Sequence, residues 1–195
     1  MRQIFIFGDS IAFGRGVNKS DSWLSKINDF FNTNYSEENI VFNLGIPGET
    51  STGLTIRLER EINARIGSRD VEDYNIVIIA TGINDSKLKH GKAKVSKSDF
   101  VKNIDEIINT SEKYASKIIA IGLTKVQRGK TTNFKNNLIG EYNNLLKNAC
   151  SDKRIKFIDL FETWPTSGKY YCDDGVHPNK AGHNYIAKKI IICFS

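Results

Sequence analysis

Gly8-Asp9-Ser10-Ile11 follows directly on an apolar run, and the glycine permits a tight turn that leaves Ser10 at the run's carboxyl end. A hydroxyl there is a weak nucleophile and needs an adjacent base. Far along the chain, Asp173-Asp174-Gly175-Val176-His177-Pro178-Asn179 sets Asp174 three residues before His177. A residue before proline is held extended rather than helical, so a loop can aim the His177 ring. Ser10, His177 and Asp174 are thus the types required of a nucleophile, a general base and a group that orients the base. Each block also has an ordinary reading. Gly-Asp-Ser is common turn chemistry, Asp174-Gly175 can be a plain turn, and Asn179 can cap a helix with His177 merely at the surface.

Two further segments supply hydrogen-bond donors. In Asn43-Leu44-Gly45-Ile46-Pro47-Gly48-Glu49-Thr50, Gly45 offers its backbone N–H with no side chain in the way. In Thr81-Gly82-Ile83-Asn84-Asp85, Asn84 offers a side-chain amide. With the N–H of Ser10, these meet the requirement for an oxyanion hole, although each could equally serve its own turn. Cys172, near His177 in sequence, is a competing nucleophile, but nothing places an oxyanion hole around it. His183 reads as packing or surface, and Asp9 and Asp173 as loop-shaping groups that bond to backbone.

The elements that must position these residues alternate. Short apolar, β-prone runs at Gln3 to Phe7, Ile40 to Leu44, Tyr74 to Ala80, Lys117 to Leu123 and Ile155 to Ile158 read as strands buried on both faces. Helical patterns lie at Ser22 to Thr33, Ser51 to Arg65, Ser98 to Ala115, Lys135 to Ala149 and Asn179 to Cys193. This alternation predicts an α/β chain, a three-layer α/β/α sandwich around a five-stranded parallel sheet of flavodoxin-like order 2-1-3-4-5. All four chemical segments then fall at the carboxyl ends of strands, the edge where such sheets bind ligands. In that order the last strand lies far from Ser10, so the long connection from Leu160 to Pro178 must carry Asp174 and His177 back across the sheet.

Length and composition narrow the partners. With 195 residues and no internal repeat or linker-like break, residues 1–195 read as one domain, a monomer or simple homo-oligomer. Cys150, Cys172 and Cys193 form no C-x-x-C pair, and His90, His177 and His183 lack metal-ligand spacing, so neither a metal nor another cofactor is expected. Met1 leads straight into Ile4-Phe5-Ile6-Phe7, too short for a signal-peptide core, and no apolar run reaches the ~20 residues of a membrane span, so a cytoplasmic chain without membrane insertion is expected. The net charge of +6 owes much to Lys87, Lys89, Lys92, Lys94, Lys97 and Lys102. That stretch reads as a solvated surface or as a basic rim that draws an anionic substrate. No aromatic residues interleave with it as a base-stacking surface would require, so nucleic acid is not expected.

Taken together, the blocks around Ser10, Gly45, Asn84 and Asp174-x-x-His177 resemble the signature of the SGNH hydrolase superfamily, the GDSL esterases and lipases. They occur in that family's order from residue 8 to residue 177. Ile11 stands where the family's name has leucine, and Ile83 where a small residue is frequent; neither change removes a chemical group. The resemblance implies a serine-dependent carboxylic ester hydrolase working by two-step acyl transfer. Ser10, Asp174 and His177 would form the triad, and Ser10, Gly45 and Asn84 the oxyanion hole. The chain leaves no room for a separate lid domain, which favours a small acyl group such as acetyl on a polar or carbohydrate partner. A lysophospholipase- or thioesterase-type acylhydrolase, and a non-catalytic carbohydrate-binding domain of the same fold, stand as alternatives.

Overall fold

A computed structural model describes residues 1–66 and 74–194. Strand β1 (Arg2–Gly8) leads into a single-turn helix α1 (Ser10–Phe13), then α2 (Trp23–Asn34) and β2 (Asn39–Gly45). Next come α3 (Ser51–Ile66), β3 (Tyr74–Ala80), a small hairpin β4 (Leu88–Lys89) and β5 (Lys92–Ala93), α4 (Lys97–Glu112) and β6 (Lys117–Ile121). The chain closes with α5 (Asn136–Asp152), β7 (Lys156–Ile158), the short α6 (Leu160–Thr163) and α7 (Lys180–Ile191). Hydroxyl and amide caps start the helices where the sequence offers them. Ser22 Oγ accepts from Ser25 N at 3.2 Å, Ser96 Oγ from Asp99 N at 3.1 Å, and Asn179 Oδ1 from Ala181 N at 3.0 Å.

The main sheet has five strands, all parallel, in the order β2-β1-β3-β6-β7. Without the hairpin, this is the expected 2-1-3-4-5. Alternation along the strands divides the core in two. Ile4 and Ile6 of β1, with Ile76 and Ile78 of β3, pack on α2 and α7 through Trp23, Ile27, Phe31 and Ile186. Phe5, Phe7, Val77 and Ile79 point the other way, onto α3, α4 and α5 through Leu54, Leu58, Phe100, Ile104 and Tyr142. Helices therefore cover both faces, which is why the strands read as continuous apolar runs rather than alternating ones.

The expected elements hold within a few residues, with three differences. The last helix stops at Ile191 rather than Cys193, and just beyond it Ile192 is 69% exposed. The lysine-rich stretch, read as a solvated surface, folds over residues 88–93 as a hairpin and continues into the start of α4. The connection from Leu160 to Pro178 contains α6, a 3₁₀ turn over Gly168–Tyr170 and an antiparallel bridge between Tyr171 and Pro178.

Candidate active site

In register, Gly8 of β1 pairs with Gly45 of β2 on one side and Ala80 of β3 on the other. The segments beginning at Ser10, Ile46 and Thr81 therefore leave the sheet at one level. This is where the winding of the sheet reverses, since β1 has β2 on one side and β3 on the other. Gly8 and Gly45 are required by close approach. A Cβ on Gly8 would meet Ala80 O at 2.2 Å, and one on Gly45 would meet Phe13 N at 2.4 Å.

Helix α1 presents the serine. Asp9 caps it, accepting from Ile11 N at 2.9 Å, and Trp23 Nε1 donates to Ile11 O at 2.9 Å. Ser10 Oγ lies 2.9 Å from His177 Nε2, and His177 Nδ1 lies 2.5 Å from Asp174 Oδ2. With Nδ1–H donating to the carboxylate, Nε2 is left as acceptor for the serine hydroxyl, the tautomer a general base requires. Asp174 Oδ1 also accepts from Val176 N at 2.9 Å and His177 N at 3.0 Å, so one carboxylate fixes both the ring and the loop that carries it. Partial burial works to raise the Asp174 pKa, but the bonds from the His177 ring and the two backbone N–H groups outweigh it, and the carboxyl titrates below its ordinary value.

The long connection reaches across the sheet as a tethered structure. Trp164 Nε1 donates to Tyr171 OH at 2.8 Å, and Asn179 Nδ2 to the carbonyls of Lys169 and Tyr171, each at 2.9 Å. Cys172 N donates to His177 O at 2.8 Å, and Gln127 N, in the segment after β6, donates to Gly175 O at 2.7 Å. Cys172 itself turns its thiol toward Gly16 O and Pro178 O. Burial raises its pKa, and the negative charges of Asp174 and Asp173 raise it further, the opposite of what a thiolate nucleophile needs. His183 is fully buried between Trp23 N and Arg15 O, each at 3.4 Å, and burial lowers its pKa to about 4. It is a neutral packing residue, as expected. Asp9 shapes its loop as expected, whereas Asp173 makes no backbone bond among the described residues; Asp174 does that work.

The donors expected of an oxyanion hole differ in their present commitments. Asn84 is buried, and its Nδ2 has no hydrogen-bond partner among the described residues. A buried amide donor left unpaired is costly in a resting fold and is a feature of sites built for a ligand oxygen. The Gly45 N–H, by contrast, is held by Asn43 Oδ1 at 3.1 Å, while Asn43 Nδ2 donates to Phe13 O at 3.0 Å. Three residues further on, Ile46-Pro47-Gly48-Glu49 forms a turn closed by Glu49 N on Ile46 O at 3.1 Å, with Gly48 at φ 82. This is the type II turn for which Pro-Gly is the natural pair. Ile46 N donates to Gly8 O at 2.9 Å, which lays the turn against the end of β1. Arg57 grips its far end, donating to both Glu49 carboxylate oxygens at 2.7 and 2.5 Å and to Leu44 O at 2.6 Å. Gly48 is exposed, and its N–H has no partner among the described residues. The Pro47-Gly48 pair was the sequence signal for this feature, and attention to Gly45 alone overlooks it.

Behind the site lies a set of buried carboxylates that the sequence does not reveal. Asp85 accepts from Ser51 N at 3.0 Å and from Ser51 Oγ, and Asn103 Nδ2 donates to that hydroxyl at 2.9 Å. Asp9, completely buried, has its pKa raised to about 7, first by desolvation and then by the charges of Asp85 and Glu49. Among the described residues, no three His, Cys, Asp or Glu side chains converge as a metal site would require.

Comparisons with known proteins bear on the family and the fold. The model of the GDSL-like lipase/acylhydrolase family matches residues 6–185. Among solved structures, a lipase/acylhydrolase from Enterococcus faecalis superposes with a TM-score of 0.80 at 21% identity, over 100% of this chain and 95% of that one. The acetyl xylan esterase AlAXEase gives 0.78 at 20% identity over 99% of this chain and 100% of its own. A catalytic mutant of Axe2, an acetylxylan esterase from Geobacillus stearothermophilus, gives 0.76 at 18% identity over 97% and 92%. At these identities the structures establish a shared fold. A search of curated protein sequences returns no significant match.

Proposed function

The chain belongs to the GDSL-like lipase/acylhydrolase family, and from that premise we propose that it is a serine-dependent carboxylic ester hydrolase acting by two-step acyl transfer. The observation that carries this reading is the chain of contacts from Ser10 Oγ through the His177 ring to Asp174, at 2.9 and 2.5 Å. His177 takes the Ser10 proton as Oγ attacks the ester carbonyl, then returns it to the leaving alcohol oxygen as that bond breaks. Asp174 holds the ring and stabilises the imidazolium. Water, deprotonated by His177, then releases the acyl group as the acid and restores Ser10.

The N–H of Ser10 and the unpaired Nδ2 of Asn84 stabilise the developing oxyanion. The third donor comes from the segment after β2. Gly45, the donor expected from the sequence, reaches an oxyanion only by sharing the bond its N–H makes to Asn43.

The acyl group is small, acetyl or similar, and the alcohol part polar or a carbohydrate. Supporting this is the fold shared with two acetyl xylan esterases. Hydrolysis of p-nitrophenyl acetate, butyrate and octanoate by wild type and Ser10→Ala tests the reading. Turnover of the acetate that vanishes in Ser10→Ala is expected. Full activity in the mutant would refute the serine mechanism, and a marked preference for octanoate would turn the reading toward a lysophospholipase- or thioesterase-type enzyme. If neither protein turns over any ester, failure of a fluorophosphonate to label Ser10 would leave a non-catalytic binding domain.

A further inference from the structure

The β4–β5 hairpin grows out of the chain immediately beyond Asn84, and its base is fixed to the site. Val95 N donates to Asp85 O at 3.3 Å, Lys94 N to Lys87 O at 3.0 Å, and Leu88 N to Asn133 O at 2.8 Å. His90 at φ 51 and Gly91 at φ 77 close it as a two-residue turn with both residues left-handed, the tight connection that matches strand twist. The Asp85 carboxylate binds Ser51, the first residue of α3, so one residue joins the hairpin to the start of that helix. Between them lies an open depression of about 500 Å3, lined by Thr50 and Thr52 on one side and Lys89, His90 and Lys94 on the other.

The charge of this depression is only partly compensated. No acidic residue occurs from Ser86 to Ser98. Lys97 is paired with Glu141, and Lys87 lies over the Phe134 ring at 5.4 Å. Lys89 and Lys94 are exposed and form no ion pair among the described residues. Of the nearby carboxylates, Glu49 is paired with Arg57, while Asp85, hydrogen-bonded to Ser51, attracts Lys94 without an ion pair, so Lys94 is compensated in part and Lys89 is not. Thr52 Oγ1 accepts from Asn103 Nδ2 at 2.9 Å, which leaves its own hydrogen free to be donated.

We propose that this depression is a subsite for an anionic group, carboxylate or phosphate, on the alcohol part of the ester substrate, held by Lys89, Lys94 and the Thr52 hydroxyl. The inference rests on the ester-hydrolase reading and narrows its substrate from a polar partner to an acidic one. A hydrolase with a basic wall beside its oxyanion donors binds such an alcohol through charge while the acyl group occupies the triad.

Matched acetyl esters test it: methyl 4-acetoxybenzoate, which is neutral, against 4-acetoxybenzoate and 4-acetoxyphenyl phosphate. In wild type at low salt, the anionic esters are expected to show a KM about tenfold below the neutral one, an advantage lost as ionic strength rises. In the double variant Lys89→Gln, Lys94→Gln that ratio collapses toward one. Lys188→Gln, on the far helix α7, retains it. Equal KM values for neutral and anionic esters in wild type, or a ratio that persists in the double variant, would overturn the proposal. Calorimetric binding of 4-hydroxyphenyl phosphate to Ser10→Ala reads the subsite without turnover. Binding weakened about tenfold by the two lysine substitutions supports the subsite even if no ester is hydrolysed, and no binding discards it. Failure of the hydrolase reading and failure of the subsite are thereby distinguished.

Discussion

Asp9 and His183 sit behind the nucleophile, and burial acts on them with opposite effect on stability. The Asp9 carboxyl rises from 3.8 to about 7, so between those values the folded protein keeps a proton that the unfolded chain has released. Stability from this group is full below pH 4 and declines as pH climbs to about 7. His183 falls from 6.5 to about 4, so in that window the unfolded chain holds a proton the folded protein lacks. Stability from this group grows as pH climbs from 4 to 6.5. In wild type the two slopes largely cancel. Asp9→Asn, which preserves a capping side chain, should leave a protein whose melting temperature rises between pH 4 and 6.5. His183→Gln should leave one whose melting temperature falls across the same range. Parallel curves for the three proteins would show that neither group titrates as the burial demands. At the same scale, Asn84→Ala should lower kcat by about 100-fold, the usual cost of an oxyanion donor. It should hardly move the melting temperature, because Nδ2 makes no bond among the described residues that the substitution would break. Ser10, Asp174 and His177 stand out in the sequence because their types and spacing are distinctive in combination, and the fold brings the three side chains together. The Asn43–Gly45 bond and the Asp85–Ser51 link do not stand out there, since they join residues by geometry that no local pattern encodes.

Among the elements, α1 is one of the shortest and the one that carries Ser10. Four residues cannot hold a helix in water, and its position comes from the Asp9 cap, the Trp23 indole and the bare backbone of Gly45 beneath it. Gly45→Ala puts a methyl group 2.4 Å from Phe13 N. Overpacking of this kind costs about 1–3 kcal/mol. The expected outcome is a lower melting temperature together with lost esterase activity, because the displaced element is the one that carries Ser10. A variant with reduced stability but full turnover would show that α1 is positioned by other contacts. Helices α2 to α5 and α7 and the five sheet strands were readable from periodicity and apolar runs of sufficient length. The four-residue α1 and the two-residue strands β4 and β5 lie below the length at which periodicity carries information.

For the molecule as a whole, the two apolar layers share their sheet. Each strand sends alternate side chains into both, so separating one layer strips the other of its floor. Guanidinium unfolding should therefore be a single transition. Fluorescence of Trp23 and Trp164, both in the layer under α2 and α7, should have the same midpoint as far-UV circular dichroism, which weighs α3, α4 and α5 as well. Two midpoints would mean that the layers melt separately. The hairpin rests on the second layer through Ala93, with both of its ends gathered at Asp85, next to Asn84. The nine residues between Asp85 and Val95 leave and return at one point. A longer, shorter or differently charged excursion can be spliced in there without altering strand register or the triad. Such an insert is a natural unit of divergence, through which one scaffold acquires new tastes while its reaction stays the same.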